Sequence, residues 1–159
     1  MTAIWPVALT IAFTGLALLI HPVGPFGGFW RPSDICPDPT IIQLPFFAVL
    51  ALTEATSFGL GFAFLAFGYP YVRSVFSKHM AVSVWLAITW LFINWFPHNA
   101  LHMNAGIDMW RTIVIDFTFH VTLIVAGCFT AYAFVSRSVS AERLHRPEGA
   151  VSASAECVP

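Results

Sequence analysis

The hydrophobic pattern of the chain consists of four long apolar stretches separated by more polar links. The stretches cover residues 4–20, 46–68, 80–96 and 110–134. An α-helix needs roughly 20 predominantly apolar residues to cross the hydrocarbon core of a bilayer, and the four stretches have about that length. The pattern therefore predicts an all-α integral membrane protein, in which residues 1–135 form a four-transmembrane-helix bundle.

The segments between and after these stretches have a different composition. The link 21–45 is dense in proline and glycine, which excludes a long helix and favours an ordered cap over the membrane surface. Asp34, Cys36 and Asp38 in this link are potential ligands, but the neighbouring prolines favour turns instead. Residues 136–159 are rich in serine, alanine, glutamate and arginine, and we predict that they form a disordered cytoplasmic tail.

The positive charges indicate how the four spans are oriented. Arg73 and Lys78 lie in the link between the second and third stretches, and three more arginines follow the fourth stretch. The first and third links contain only Arg31 and Arg111. Cytoplasmic segments carry the excess of lysine and arginine, so both termini are expected in the cytoplasm and the first and third links outside.

Composition supports the assignment to a membrane. The 159 residues are 58% hydrophobic and 9% charged, whereas a soluble domain carries about 25% charged residues. No basic patch is available for a nucleic acid, and the three scattered cysteines form no CxxC pair. We expect a multi-pass protein of a plasma membrane, such as that of a bacterium, surrounded by lipid and with other membrane subunits or further copies as candidate partners.

Five ionisable residues in or beside the apolar stretches mark a candidate site. In the predicted topology, Glu54, His98, His102, Asp116 and His120 all fall in the outer half of the bilayer or at its outer surface. His21 reaches the same level at the end of the first stretch. Ionisable groups are costly in such surroundings, so their common depth indicates a function.

The spacing of these residues favours metal binding. His98 and His102 are four residues apart, as are Asp116 and His120, so each pair would share one face of a helix. Two such pairs on neighbouring helices would supply four ligands, with Glu54 as a fifth ligand or a supporting group. Imidazole and carboxylate ligands suit copper, non-haem iron or zinc.

The segment Asp116-Phe117-Thr118-Phe119-His120-Val121-Thr122-Leu123-Ile124 resembles a copper-ligand segment in the C subunit of particulate methane and ammonia monooxygenases. The resemblance covers these residues only, and it implies that Asp116 and His120 are copper ligands. That family has a further ligand histidine thirteen positions later, where this chain has Ala133. His98 or His102 would have to replace it.

Each motif also has a plainer interpretation. His98 and His102 are also compatible with an ordinary outward loop, and Asp116 and His120 with a polar contact made only to each other. Glu54 is also compatible with a carboxyl group held by neighbouring threonines. In that case the chain would be a structural accessory subunit, with polar residues that only join its helices.

The favoured function is a small metal-dependent redox enzyme or a subunit of one. An alternative is a proton- or quinone-linked subunit without metal, in which Glu54 and Asp116 are the catalytic acids. A haem held by His102 and His120 ranks below a non-haem metal, because the nearby acids suit a bare cation. A membrane-embedded lipid or isoprenoid enzyme using acid catalysis is the last alternative, and it gives the histidines no task.

Overall fold

The structure, a computed structural model, describes residues 4–33 and 40–145, with side chains described as far as residue 139. In this part of the chain all regular structure is helical. The helices are α1 (Ile4–Ile20), α2 (Leu44–Phe67), α3 (Tyr69–Val75), α4 (Lys78–Ile93), α5 (Trp95–Ala105) and α6 (Met109–His145), with one 3₁₀ turn at Gly27–Trp30. The potential ligands Asp34, Cys36 and Asp38 lie outside the described residues.

The helices include two or three candidate membrane spans. Leu44–Phe67 and the Met109–Val139 part of α6 are each long and apolar enough to cross a bilayer. Helices α4 and α5 meet this criterion only when taken together, and they are bent by 45° at their junction. Helix α1 is apolar but has only 17 residues. The all-helical class is thus confirmed, and the described helices are consistent with a membrane protein.

The third apolar stretch, residues 80–96, does not form one continuous helix. Helix α4 stops at Ile93, and a separate helix α5 begins at Trp95. Pro97 lies in the first turn of α5, where its missing N–H group removes no helical hydrogen bond. The outward link predicted after residue 96 is therefore helical as far as Ala105.

The last helix is longer than the sequence predicts. Helix α6 continues to His145, whereas the apolar stretch was expected to end near residue 134. Residues 136–145 of the predicted disordered tail are therefore helical. The remainder of that predicted tail, 146–159, lies outside the described residues.

Small residues bring α2 close to its two neighbours. A Cβ atom on Gly59 would lie 2.4 Å from the carbonyl oxygen of Thr10 in α1. A Cβ atom on Gly61 would lie 2.4 Å from the side chain of Ile93 in α4. Ser57 adds a hydrogen bond of 2.8 Å from its hydroxyl group to the carbonyl oxygen of Phe92. Side chains smaller than a methyl group thus allow α1 and α4 to pack on opposite sides of α2.

Helix α5 is fixed against the first link by Phe96 and Asn104. The Phe96 ring is almost fully buried and contacts the ring of Trp30 edge-on, with centroids 5.7 Å apart. The Asn104 amide donates hydrogen bonds to the carbonyl oxygens of Trp30 and Arg31, at 2.8 and 2.9 Å. Both contacts hold residues of the first link, Trp30 and Arg31, against α5.

Candidate metal site

A tight turn joins α5 to α6 and brings their ionisable residues together. Gly106 adopts a positive φ of 56°, and a Cβ atom there would lie 2.7 Å from the Cβ atom of Ser33. The Asp108 carboxylate then accepts hydrogen bonds from the backbone N–H groups of Trp110 and Arg111, each at 3.1 Å. Such capping stabilises the exposed N–H groups of a first helical turn, so α6 starts immediately after the turn.

Asp116 lies at the centre of the candidate site. Its Oδ1 atom is 2.9 Å from Nε2 of His102 and 3.7 Å from Nε2 of His98. The same oxygen is 3.5 Å from Nδ1 of His120, one helical turn further along α6. The Nε2 atoms of His98 and His102 are 3.0 Å apart. All four residues predicted as ligands from the sequence therefore meet between α5 and α6.

These separations can be compared with the spacing of ligand atoms around one small metal ion. Four ligand atoms arranged tetrahedrally at 2.0–2.1 Å from a zinc ion lie about 3.3 Å from one another. The separations described above run from 2.9 to 3.7 Å. One potential ligand atom from each of His98, Asp116 and His120 also falls within 4.8 Å of the others. His102 is not part of this group of three.

The site is enclosed on the α5 side and open on the α6 side. The exposed fraction of the side chain is 12% for His98 and 29% for His102. It rises to 41% for Asp116 and 51% for His120. A metal held here would keep one accessible side, and catalytic metal sites commonly leave a coordination position open in this way.

Aromatic rings pack against the imidazole ring of His98. Phe119 is buried, and its ring centroid lies 5.2 Å from that of His98. The Trp90 ring stacks on Phe119 with centroids 5.9 Å apart, and its indole N–H donates a 2.9 Å hydrogen bond to the Thr122 hydroxyl group. These contacts restrict the orientation of the His98 ring and surround it with apolar groups.

Glu54 lies outside the group of ligand atoms. Its side chain in α2 is buried, with 7% of the residue exposed, and Oε2 accepts a 2.9 Å hydrogen bond from the side-chain amide of Asn99. Asn99 immediately follows His98 in α5. Glu54 therefore contacts the candidate site only indirectly, through its hydrogen bond to Asn99 in α5. Sequence reasoning missed Asn99, whose only signal was an amide group next to a histidine in a largely apolar segment.

His21 has a packing contact with α5. Its ring is buried against Phe96, with centroids 6.1 Å apart, and Nδ1 accepts a hydrogen bond from the backbone N–H of Val23 at 3.3 Å. Burial lowers the pKa of the His21 imidazole, because the charged form loses hydration. His21 thus packs the C-terminal end of α1 against Phe96 of α5.

The position of Asp116 bears on the haem alternative. A haem iron ligated by His102 and His120 would lie between their ring nitrogens, with the porphyrin spreading sideways from it. Oδ1 of Asp116 lies 2.9 Å from Nε2 of His102 and 3.5 Å from Nδ1 of His120, so a haem held by these two residues would have to displace the carboxylate. A carboxylate oxygen between imidazoles is instead a natural ligand for a metal ion.

The resemblance to the monooxygenase segment is confined to residues 116–124, and the position of that family's further ligand histidine is Ala133 here. This residue is buried in a core cluster with Phe76 and Val84. It lies thirteen residues beyond His120, which corresponds to about 20 Å along a helix. No protein-family model, curated protein or solved structure matches the chain. Inferences about function therefore depend on the residues and their geometry.

Proposed function

We propose that this protein binds one metal ion through His98, His102, Asp116 and His120. The observation that carries the proposal is the group of ring nitrogens within 2.9–3.7 Å of a single carboxylate oxygen. Two i,i+4 pairs on adjoining helices provide these donors, as in metal sites built inside helical bundles.

The metal is copper, non-haem iron or zinc, the ions that mixed imidazole and carboxylate ligands suit. Copper and iron change oxidation state, and the open side at His120 leaves room for a small substrate or an oxidant. We therefore propose a small redox enzyme, or a subunit of one, as the function. Asp116 contributes negative charge to the metal, and Glu54 acts from α2 by holding Asn99 and thus α5.

The proposed setting is a four-helix bundle in a plasma membrane. Helix α1 would be the fourth span, with its 17 apolar residues at the lower limit of length. Arg73, Lys78 and Arg137 would then face the cytoplasm with both termini, and the candidate site would face outward. Reporter fusions after residues 107 and 145 test this topology, because the account requires the first to report from outside and the second from the cytoplasm.

Metal analysis of purified protein tests the proposed function. The full chain is expressed with copper, iron and zinc supplied separately, and bound metal is measured per protein chain after removal of loose ions. We expect close to one ion per chain for the wild type and a large loss for His98→Ala and His120→Ala. His79→Ala is the matched control, because His79 is exposed at the start of α4. Absence of bound metal under all three conditions would rule out the proposal, as would equal loss in the control.

A proton-linked function without metal is the second candidate. The hydrogen bond between Asp116 and His102, at 2.9 Å, supports it because such a pair can exchange a proton. In this case the purified protein would hold no metal, and Asp116→Asn and Glu54→Gln would impair function. The metal content of the wild-type protein therefore separates the two candidates.

A further inference from the structure

A second feature is a groove between α4 and α6 that begins beside the candidate metal site, at Trp90 and Val121, and runs away from it. A groove of about 430 Å³ runs between these helices, from Ser83 to Trp90 on α4 and from Val121 to Phe129 on α6. Its lining is almost entirely apolar, and the hydroxyl group of Ser83 is turned back to the carbonyl oxygen of His79. The α4 part spans eight residues, whose first and last positions are about 10 Å apart along the helix. The groove is therefore suited to an extended hydrocarbon chain.

Positive charge collects beside the Ser83 end of this groove. Arg73 donates a 2.9 Å hydrogen bond to the carbonyl oxygen of Phe76, and Arg137 donates one to the adjacent carbonyl oxygen of Val75. The Arg137 guanidinium group also lies 6.0 Å from the centre of the Phe76 ring. Lys78 begins α4 two residues later and is exposed. Three cationic side chains thus surround the turn between α3 and α4.

The described acidic side chains do not neutralise this charge. They are Glu54, Asp108 and Asp116. Glu54 is bonded to α5, and Asp108 is paired with Arg111. Asp116 is twenty-one residues before Arg137 on the same helix, a distance of about 31 Å. An anionic group would therefore be attracted to the α3–α4 turn.

We propose that the α4–α6 groove and the cationic turn together bind one anionic phospholipid. An acyl chain lies between Ser83 and Trp90, and the phosphate group lies beside Lys78 and Arg137. Charge complementarity selects this occupant over an uncharged lipid, and the apolar groove selects it over free phosphate. Basic pockets between membrane helices recognise anionic head groups by the same combination. The proposal does not require a bound metal, although Trp90 and Thr122 line the groove and Trp90 also stacks on Phe119 beside His98.

Native mass spectrometry of the full chain in detergent provides the test. Phosphatidylglycerol and phosphatidylcholine with identical acyl chains are titrated in turn. We expect tighter binding of phosphatidylglycerol, with the preference reduced about fivefold by Lys78→Gln, since one surface cation contributes about that factor. Arg111→Gln is the matched control, because Arg111 lies at the other end of α6 and should leave the preference unchanged.

The groove is tested separately from the head group. Ala87→Phe fills the groove and should weaken phosphatidylglycerol binding, while inorganic phosphate should not displace the lipid. If Ala87→Phe does not fold, phosphatidylglycerol with a brominated acyl chain should quench wild-type fluorescence more than that of Trp90→Phe. Equal binding of the two lipids, displacement by phosphate, an unaffected Ala87→Phe or equal quenching would each overturn the proposal.

Discussion

Asp116 of α6 and His102 of α5 lie 2.9 Å apart and join the two helices through a single carboxylate oxygen. The contact connects residues fourteen positions apart in the sequence. It places a negative charge where the rings of His98 and His120 also meet.

Asp116→Asn should weaken metal binding by about tenfold or more, because changes even beyond the direct ligands of a metal commonly cost 10- to 100-fold in affinity. The measurement is a competition titration of the purified protein against a chelator of known affinity. Asp108→Asn is the control, since Asp108 caps α6 and asparagine is an equally good cap. Equal affinities for the two variants would exclude Asp116 as a ligand.

Asn99→Leu should destabilise the protein, because it leaves the buried Glu54 carboxyl group without its hydrogen-bond donor. An unsatisfied buried polar group costs about 1–3 kcal/mol, and replacing both partners by apolar groups can be nearly neutral. The double variant Glu54→Leu/Asn99→Leu should therefore recover most of the stability in thermal unfolding. If the double variant were as unstable as the sum of both single variants, the two side chains would not interact.

Gly59→Ala should separate α1 from α2, because its methyl group would meet the backbone oxygen of Thr10. Overpacking of this kind costs about 1–3 kcal/mol. Gly127→Ala is the matched control, since a Cβ atom there has no neighbour within 4 Å. Its thermal midpoint should stay the same or rise slightly through the better helix propensity of alanine. A similar fall for both variants would contradict the close approach of α1 and α2.

The buried imidazole of His21 should make stability depend on pH. Burial lowers its pKa in the folded state, so the unfolded chain takes up a proton more readily. The stabilisation is fully present above the unfolded pKa of about 6.5 and is lost as the pH falls through the lowered folded value. Thermal unfolding between pH about 7.5 and about 5.5 should therefore show a larger loss for the wild type than for His21→Phe. The same loss in both proteins would show that His21 does not contribute.

The sequence was sufficient to predict the helical class and the pairing of residues in the candidate site. His98 with His102, and Asp116 with His120, share helix faces because their spacing is four residues. The helical form of the segment after Phe96 could not be predicted in the same way. The apolar stretch extends to Phe96 with Asn94 inside it, whereas α4 ends at Ile93 and Asn94 is fully buried at the junction with α5.

The role of Asn99 was likewise beyond sequence reasoning. Its partner Glu54 is forty-five residues away, and only the rotation of α5 over α2 makes the hydrogen bond possible. Asn104 is a similar case, because its contacts with Trp30 and Arg31 depend on how the first link folds back. Local spacing thus identifies potential metal ligands that share one helix face, whereas contacts between distant segments are set by tertiary packing.

X-ray absorption spectroscopy of the metal-loaded protein is the most direct test of the central claim. The account predicts nitrogen and oxygen ligands at about 2.0–2.2 Å, with the scattering pattern of imidazole rings. This pattern should weaken in His120→Ala and remain unchanged in His79→Ala. A spectrum without imidazole scattering, or with sulfur as a ligand, would contradict a metal site formed by His98, His102, Asp116 and His120.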